Sequence, residues 1–156
     1  MYKVRQWSVT NARRLEAVYR NFEPLLIRLH PLFKWLGYSR LEKPVRVVEK
    51  AIKGFMFDCQ MCGKCALSAT GMSCPMNCPK SIRNGPCGGV RLDGMCEVKP
   101  EMRCVWVEAW RGAETMRQGD TIRQVQIPVN HLHKGTSSWL RVVRHEFAAL
   151  NSESEK

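Results

Sequence analysis

Residues 74–89 read CPMNCPKSIRNGPCGG and place three cysteines, three prolines and three glycines within sixteen positions. Neither a helix nor a strand tolerates proline and glycine at this density. The stretch is therefore predicted to be an irregular loop. Glycine lets a backbone approach a bound group closely, proline fixes φ, and cysteine supplies thiolates. This mixture favours a loop that wraps a metal ion or a metal cluster.

The cysteine pattern as a whole spans residues 59–104. It opens with CQMCGKC at 59–65, which is two overlapping C-x-x-C units, and both Cys74 and Cys78 are followed by proline. Zinc sites usually take their ligands as separated pairs, whereas a triple C-x-x-C-x-x-C and a Cys-Pro are typical of bacterial ferredoxins. The candidate metal ligands are Cys59, Cys62, Cys65, Cys74, Cys78, Cys87, Cys96 and Cys104.

Eight thiolates match two 4Fe–4S clusters, but also one cluster plus zinc, or zinc alone. If there are two clusters, the spacing does not fix how the ligands are divided between them. We predict that the triple run shares one cluster with Cys78 rather than with Cys74. The second cluster would then be held by Cys74, Cys87, Cys96 and Cys104.

Length and composition narrow the function further. The chain has 156 residues, too few for a TIM barrel, which needs roughly 250. The N-terminus lacks an apolar signal region, and no uninterrupted apolar run is long enough to span a membrane. We expect a cytoplasmic protein, in which clustered cysteines hold metal rather than form disulfides. No nucleotide-binding motif and no catalytic residue is evident, and the histidines, including His131 and His133, are expected to be ordinary surface or structural residues.

The charge is strongly positive and unevenly placed. The net charge is +11, and residues 1–50 carry eleven Lys/Arg against four Asp/Glu. Such a surplus is typical of binding to nucleic acid, to anionic lipid or to an acidic protein. Two oxidised clusters of about −2 each would offset part of it. Because no zinc-finger spacing is present, we do not expect a nucleic-acid partner.

The segments flanking the cysteines are predicted to be helical. Apolar residues recur every three or four positions from Leu15 to Leu36 and again from Val45 to Phe55. We predict that Pro24 and Pro31 divide the first segment, that Gly37 ends it, and that the second helix begins at Pro44.

Residues 104–116 and 138–150 are also predicted to be helical, with an extended VQIPV segment at 125–129 between them. Thr136 or Ser137 would be the N-cap of the last helix, and its apolar face would be Trp139, Leu140, Val143, Phe147 and Leu150. The predicted fold is small, α-rich and irregular, with a ferredoxin-like cysteine-rich loop core stabilised by metal. Its parts are a basic helical extension at 1–54, a cysteine-rich domain at 55–112, and an extended segment, helix and polar tail at 113–156.

Three segments carry a resemblance to a known family. CQMCGKCAL, CPMNCPKSIRNGPCGGVRLDGMCEV and CVWVEAW, with a fainter match in TSSWL, are similar to the cysteine-rich domain of methylenetetrahydrofolate reductases. In that family the domain is a C-terminal extension or a separate small subunit beside a flavin-bearing barrel. The resemblance implies that the eight cysteines bind iron–sulfur clusters, sometimes with zinc, and that the flavin belongs to the partner.

The resemblance leads to an expected function. We expect an electron-transfer subunit of an oxidoreductase that interconverts methylene- and methyltetrahydrofolate. The barrel subunit is the expected partner, and a further electron-transfer protein is a second candidate. The alternative is a zinc-binding structural or nucleic-acid-binding module without redox activity. The docking face is predicted to lie near the cysteine loops, on Lys80, Arg83, Arg91 and Lys99, and on Trp106 and Trp110 if these two are not core residues.

Overall fold

The protein is helix-rich, as the computed structural model shows for residues 2–85 and 87–154, with side chains described up to residue 147. Met1, Pro86 and residues 155–156 are outside the described residues, as is the side chain of Leu150. The α-helices in this part of the chain are α1 (Tyr2–Thr10), α2 (Ala12–Arg28), α3 (His30–Leu36), α4 (Tyr38–Phe57), α5 (Val105–Ala113) and α6 (Ser138–Ser154).

Two of the predicted helix boundaries are wrong, and both involve proline. Pro24 lies inside α2 and Pro44 lies inside α4, which begins at Tyr38. Both prolines are exposed, so water can satisfy the carbonyl that each proline leaves without an N–H donor. Pro31, at the first turn of α3, does coincide with a helix boundary, as predicted. Gly37 separates α3 from α4 with a φ of +82°, which glycine adopts without strain.

The cysteine-rich stretch between α4 and α5 has little regular structure. It contains short 3₁₀ turns at Leu67–Ala69 and Pro75–Asn77 and two isolated antiparallel bridges, Val90 to Cys96 and Met95 to Arg103. Further 3₁₀ turns, Gly119–Arg123 and His131–His133, follow α5. Residues 125–130 are extended or irregular, in agreement with the prediction for VQIPV.

The basic N-terminal helices pack directly against the cysteine-rich region. Backbone N–H groups of Arg117 and Gln118 donate to the carboxylate of Glu16 on α2, at 2.8 and 2.9 Å. At the start of α1, the hydroxyl of Tyr2 accepts a hydrogen bond from the backbone N–H of Arg103 at 3.0 Å. The helical extension and the cysteine-rich segment therefore share one folded unit.

Apolar clusters surround the cysteines rather than excluding them. One cluster includes Phe57, Leu67, Met72 and Cys74, and a second includes Cys96 and is extended by Cys78. Burial of thiols among apolar side chains removes water from their surroundings. Water would be excluded in the same way from any group bound to these thiols.

Candidate metal centre

Four of the eight cysteines line one small cavity. Cys59, Cys62 and Cys65 follow the C-terminus of α4, and Cys74 reaches the same cavity from the loop before the 3₁₀ turn Pro75–Asn77. Cys62 and Cys74 are buried, Cys59 is partly buried and Cys65 is exposed. We call these four residues the first cysteine group.

The structure places Cys74, not Cys78, with the triple run. Pro75 begins a tight 3₁₀ turn, after which Cys78 is packed beside Cys96 and Met102 in a different apolar cluster. Both cysteines precede a proline, so the Cys-Pro motif alone could not distinguish them. The arrangement therefore favours Cys74 over Cys78 as the fourth member of the first group, because the turn separates the two thiols; which thiols share a cluster stays a prediction.

The other four cysteines belong to the compact segment 78–104. The bridge between Val90 and Cys96 and the hydrogen bond from the Cys104 N–H to the Gly94 carbonyl, 2.9 Å, fold this segment onto itself. Cys96 and Cys104 are buried, and Cys78 and Cys87 are partly buried. We call Cys78, Cys87, Cys96 and Cys104 the second cysteine group.

Cationic residues line the cavity of the first group, among them Arg83 and Lys53. Arg83 places Nη1 4.0 Å from the Cys62 sulfur, donates from Nη2 to the Lys64 carbonyl at 2.8 Å, and donates from Nε to the Ile127 carbonyl at 2.8 Å. Lys53, on the last turns of α4, lines the same cavity and is buried. Cations beside thiolates stabilise the anionic form of sulfur and of any sulfur-bound cluster.

Lys53 is held by a buried polar network that sequence reasoning missed. Its Nζ donates to Oε1 of Glu49 and to Oγ of Ser138, both at 2.7 Å. Ser137 donates its hydroxyl to the other oxygen of Glu49 at 2.6 Å, and the backbone N–H of Ser138 donates to Glu49 at 3.2 Å. Glu49 on α4 thus caps the N-terminus of α6 from outside that helix.

A signal for this network is present in the sequence. Glu49 and Lys53 are four residues apart on the same side of α4 as Val45 and Met56. Two opposite charges on an apolar helix face are expected to pair in the interior rather than to reach water. The predicted N-cap Ser137 is confirmed, since its hydroxyl accepts from the Leu140 N–H at 3.2 Å.

Burial raises the pKa of two thiols in the first group, Cys59 and Cys74. It raises the pKa of Cys59 to about 11, partly opposed by the Met61 N–H, and raises the pKa of Cys74 to about 12, with the neighbouring thiols adding to the shift. Without a bound group these thiols therefore stay protonated at neutral pH. A metal ion or cluster that binds them displaces those protons.

The donor set has the chemistry of a sulfur-ligated group, but no ion site is preformed. Among the side chains described, those of residues 2–85 and 87–147, no three Cys, His, Asp or Glu are arranged to hold a metal ion. The first group nevertheless brings four thiols to one cavity, which Glu49 also lines while it is paired with Lys53. Such a set suits iron–sulfur clusters and four-cysteine zinc alike.

The other residues singled out in the sequence differ in exposure. Trp106 is only 2% exposed and its indole N–H donates to the Ile82 carbonyl at 3.1 Å, so it belongs to the core and not to a docking face. Lys80 pairs with Glu97 and Arg91 with Asp93, while Lys99 is exposed. His131 is exposed, as expected, and the HLH segment is a 3₁₀ turn.

Comparison with known proteins identifies the family. A family described as methylene-tetrahydrofolate reductase C terminal matches residues 38–132, more than half of the chain. No curated protein and no solved structure matches the chain. In the described part of the chain, no helix is both long and apolar enough to cross a membrane. The match includes α4, all eight cysteines and α5, and the chain belongs to the methylene-tetrahydrofolate reductase C-terminal family.

Proposed function

We propose that this chain is the iron–sulfur subunit of a methylenetetrahydrofolate reductase and that it relays electrons to or from a flavin on a barrel-shaped partner chain. The observation that carries the proposal is the convergence of Cys59, Cys62, Cys65 and Cys74 on one cavity. The family supports an association with the reductase. The chain itself is too short for the roughly 250-residue barrel that the folate chemistry would occupy.

The residues of this chain would act as ligands and as electrostatic support. The first and second cysteine groups would each hold one four-iron cluster, and a four-iron cluster supplies one-electron chemistry. Lys53 and Arg83 would stabilise the negative charge of the first cluster, while the apolar clusters around Cys74 and Cys96 exclude water from the sulfur atoms. Cys65 is exposed, which leaves one edge of the first site accessible to a redox partner.

The decisive experiment is anaerobic purification of the full chain followed by metal analysis and spectroscopy. We expect a brown protein with about eight irons per chain and a broad absorption at about 400 nm that bleaches on reduction. A colourless protein that contains only zinc would overturn the cluster assignment. Copurification with a tagged flavin-containing reductase barrel from the same cell would test the partner, and a chain that stays monomeric beside that protein would remove it.

A further inference from the structure

A small recess lined almost entirely by charged residues lies where α2 meets the segment that follows α5. Its volume is about 340 Å³, at the lower end of the roughly 300–1,000 Å³ of small-molecule sites. The lining residues are Arg13, Arg14, Glu16, Ala17, Arg20 and Arg117. We call this cavity the arginine recess. Because Ala17 is its one uncharged lining residue, charge decides what can bind there.

Glu16 holds the two sides of the arginine recess together. Its two carboxylate oxygens accept hydrogen bonds from the backbone N–H groups of Arg117 and Gln118, at 2.8 and 2.9 Å. Both oxygens are therefore already bonded, and the residue is only 7% exposed. Glu16 thus positions Arg117 beside α2 and is not free to serve as a ligand for a cation.

The four arginine side chains have no partner in the part of the chain that the structure describes. Within those residues, none of the four guanidinium groups donates a hydrogen bond or lies within 4.0 Å of a carboxylate. Arginines elsewhere do find partners, since Arg103 and Arg111 both pair with Glu108, at 2.8 and 2.6 Å. The recess has four positive charges against the one negative charge of Glu16, a balance of +3.

Carboxylates on the far side of Arg117 do not neutralise the recess. Glu114 and Asp120 line a neighbouring cavity that Arg117 also borders. Asp120 pairs with Arg123 at 3.6 Å, and neither acid lines the arginine recess. The like charges in the recess repel one another, and a bound anion would relieve that repulsion.

The chemistry of guanidinium selects the kind of anion. Its planar fork of N–H donors matches two oxygens of a phosphate or a carboxylate. We propose that the arginine recess binds a small molecule that carries two anionic oxygen groups, either phosphate or carboxylate. One oxyanion would use only part of the four guanidinium groups and would leave part of the +3 balance unmet. The proposal concerns a site distinct from the cysteine groups and does not depend on metal content.

The test measures binding of three anions to the full chain by isothermal titration calorimetry, at an ionic strength held constant with sodium chloride. The probes are fructose bisphosphate, succinate and inorganic phosphate. We expect one saturable site per chain for the bisphosphate or for succinate, and the tighter of the two identifies the recess as a phosphate or a carboxylate site. Inorganic phosphate is expected to bind at least tenfold more weakly. The bound probe should also raise the melting temperature, because the recess exists only in the folded chain.

Three arginine substitutions test whether the ligand lies in the recess. Arg20→Gln and Arg117→Gln each remove one guanidinium group, and the second leaves intact the backbone N–H that Glu16 accepts. Each is expected to weaken binding at least tenfold, because hydrogen bonds between charged groups are the strong ones. Arg28→Gln is the control, since it removes the same charge from an exposed position of α2 outside the recess. It should weaken binding less than twofold.

Ala17→Leu separates binding in the recess from a general attraction between charges. The substitution keeps all four arginines but places a larger side chain in the space that they surround. It is expected to weaken binding of the tighter probe at least tenfold. Circular dichroism checks that each variant is folded.

Several outcomes would overturn the proposal. It fails if no probe binds saturably, if inorganic phosphate binds as tightly as the other two, or if Ala17→Leu binds as well as the native chain. It also fails if Arg28→Gln weakens binding as much as Arg20→Gln does. Binding of an oligo-aspartate peptide without binding of the small anions would overturn it by assigning the recess to an acidic protein segment. Iron content, which tests the proposed function, should be the same in every variant, so the two proposals can fail separately.

Discussion

Lys53 and Glu49 form an ion pair with Nζ and Oε1 2.7 Å apart, and their side chains are only 2% and 1% exposed. The aromatic rings of Trp139 and Tyr19 lie 5.1 and 5.8 Å from the Lys53 ammonium. The pair links α4 to the start of α6 and to the cavity of the first cysteine group. Its integrity therefore affects both the helical framework and the surroundings of the thiols.

Removing the lysine is expected to destabilise the protein strongly. Lys53→Met leaves Glu49 buried without its cation, a change that costs about 3–5 kcal/mol in the free energy of unfolding. Lys50→Met is the control, because Lys50 is exposed on the same helix and should change stability by less than about 0.5 kcal/mol. Denaturant unfolding at equal metal content measures both. A loss below about 1 kcal/mol for Lys53→Met would show that Glu49 finds another partner.

The same pair predicts a dependence of stability on acid. Burial alone would raise the pKa of Glu49, but Lys53 and the hydroxyls of Ser137 and Ser138 outweigh burial and hold that pKa below its ordinary value of 4.5. A lowered carboxyl pKa contributes stability that is present above the unfolded pKa and is lost as the pH falls through the folded one. The contribution of Glu49 should therefore disappear below pH 4.5.

Glu49→Gln tests this acid dependence. The difference in unfolding free energy between the native protein and the variant should be largest near neutral pH and should shrink as the pH falls below 4.5. Glu114→Gln is the control, because Glu114 is exposed and directly follows α5. Acid affects any bound metal equally in this variant. A difference for Glu49→Gln that is constant from pH 7 to pH 3 would contradict the assignment of a lowered pKa.

Gly85 is predicted to be intolerant of a side chain for a steric reason. A methyl group added at Gly85 would overlap the indole ring of Trp106, whereas one added at Gly88 meets no atom within 4 Å. Trp106 is buried and cannot move without opening the core. Gly85→Ala should cost about 1–3 kcal/mol, and Gly88→Ala should be near neutral. Thermal unfolding compares the two, and equal melting temperatures would refute the close approach.

The sequence predicted the helices well where an apolar period ends at a clear signal. Gly37, Ser137 and the run of apolar residues toward Cys59 each marked a boundary that the structure confirms. The helix boundaries predicted at Pro24 and Pro44 were wrong. A proline destabilises a helix only locally, and the packing of α2 and α4 against their neighbours stabilises each helix by more than the proline costs.

The spatial grouping of the cysteines was not predictable from the sequence, and their role as ligands stays a prediction. The cysteine spacing identifies sulfur donors, but the turn that follows Cys74 decides which thiols meet, and short turns leave little periodic signal. The sequence also left open whether Trp106 belongs to the core or to a docking face. The spacing of apolar residues in α5 does not show whether its apolar face contacts solvent, a partner or another part of the chain. In the structure the indole ring of Trp106 lies against Gly85.

The division of the cysteines between two clusters can be tested by iron content, and this prediction rests on the proposed function. If Cys62 and Cys74 serve the same cluster and Cys78 serves the other, each single Cys→Ser variant should lose about half of the iron, because one missing ligand disables one cluster. The double variant C62S/C74S should lose no more than either single variant. By contrast, C62S/C78S should lose nearly all of the iron.

Iron analysis of anaerobically purified proteins, with unfolding measured alongside, tests this division. The reverse pattern, in which C62S/C78S keeps half of the iron and C62S/C74S keeps none, would return Cys78 to the triple run. A native chain without iron would instead refute the cluster proposal itself.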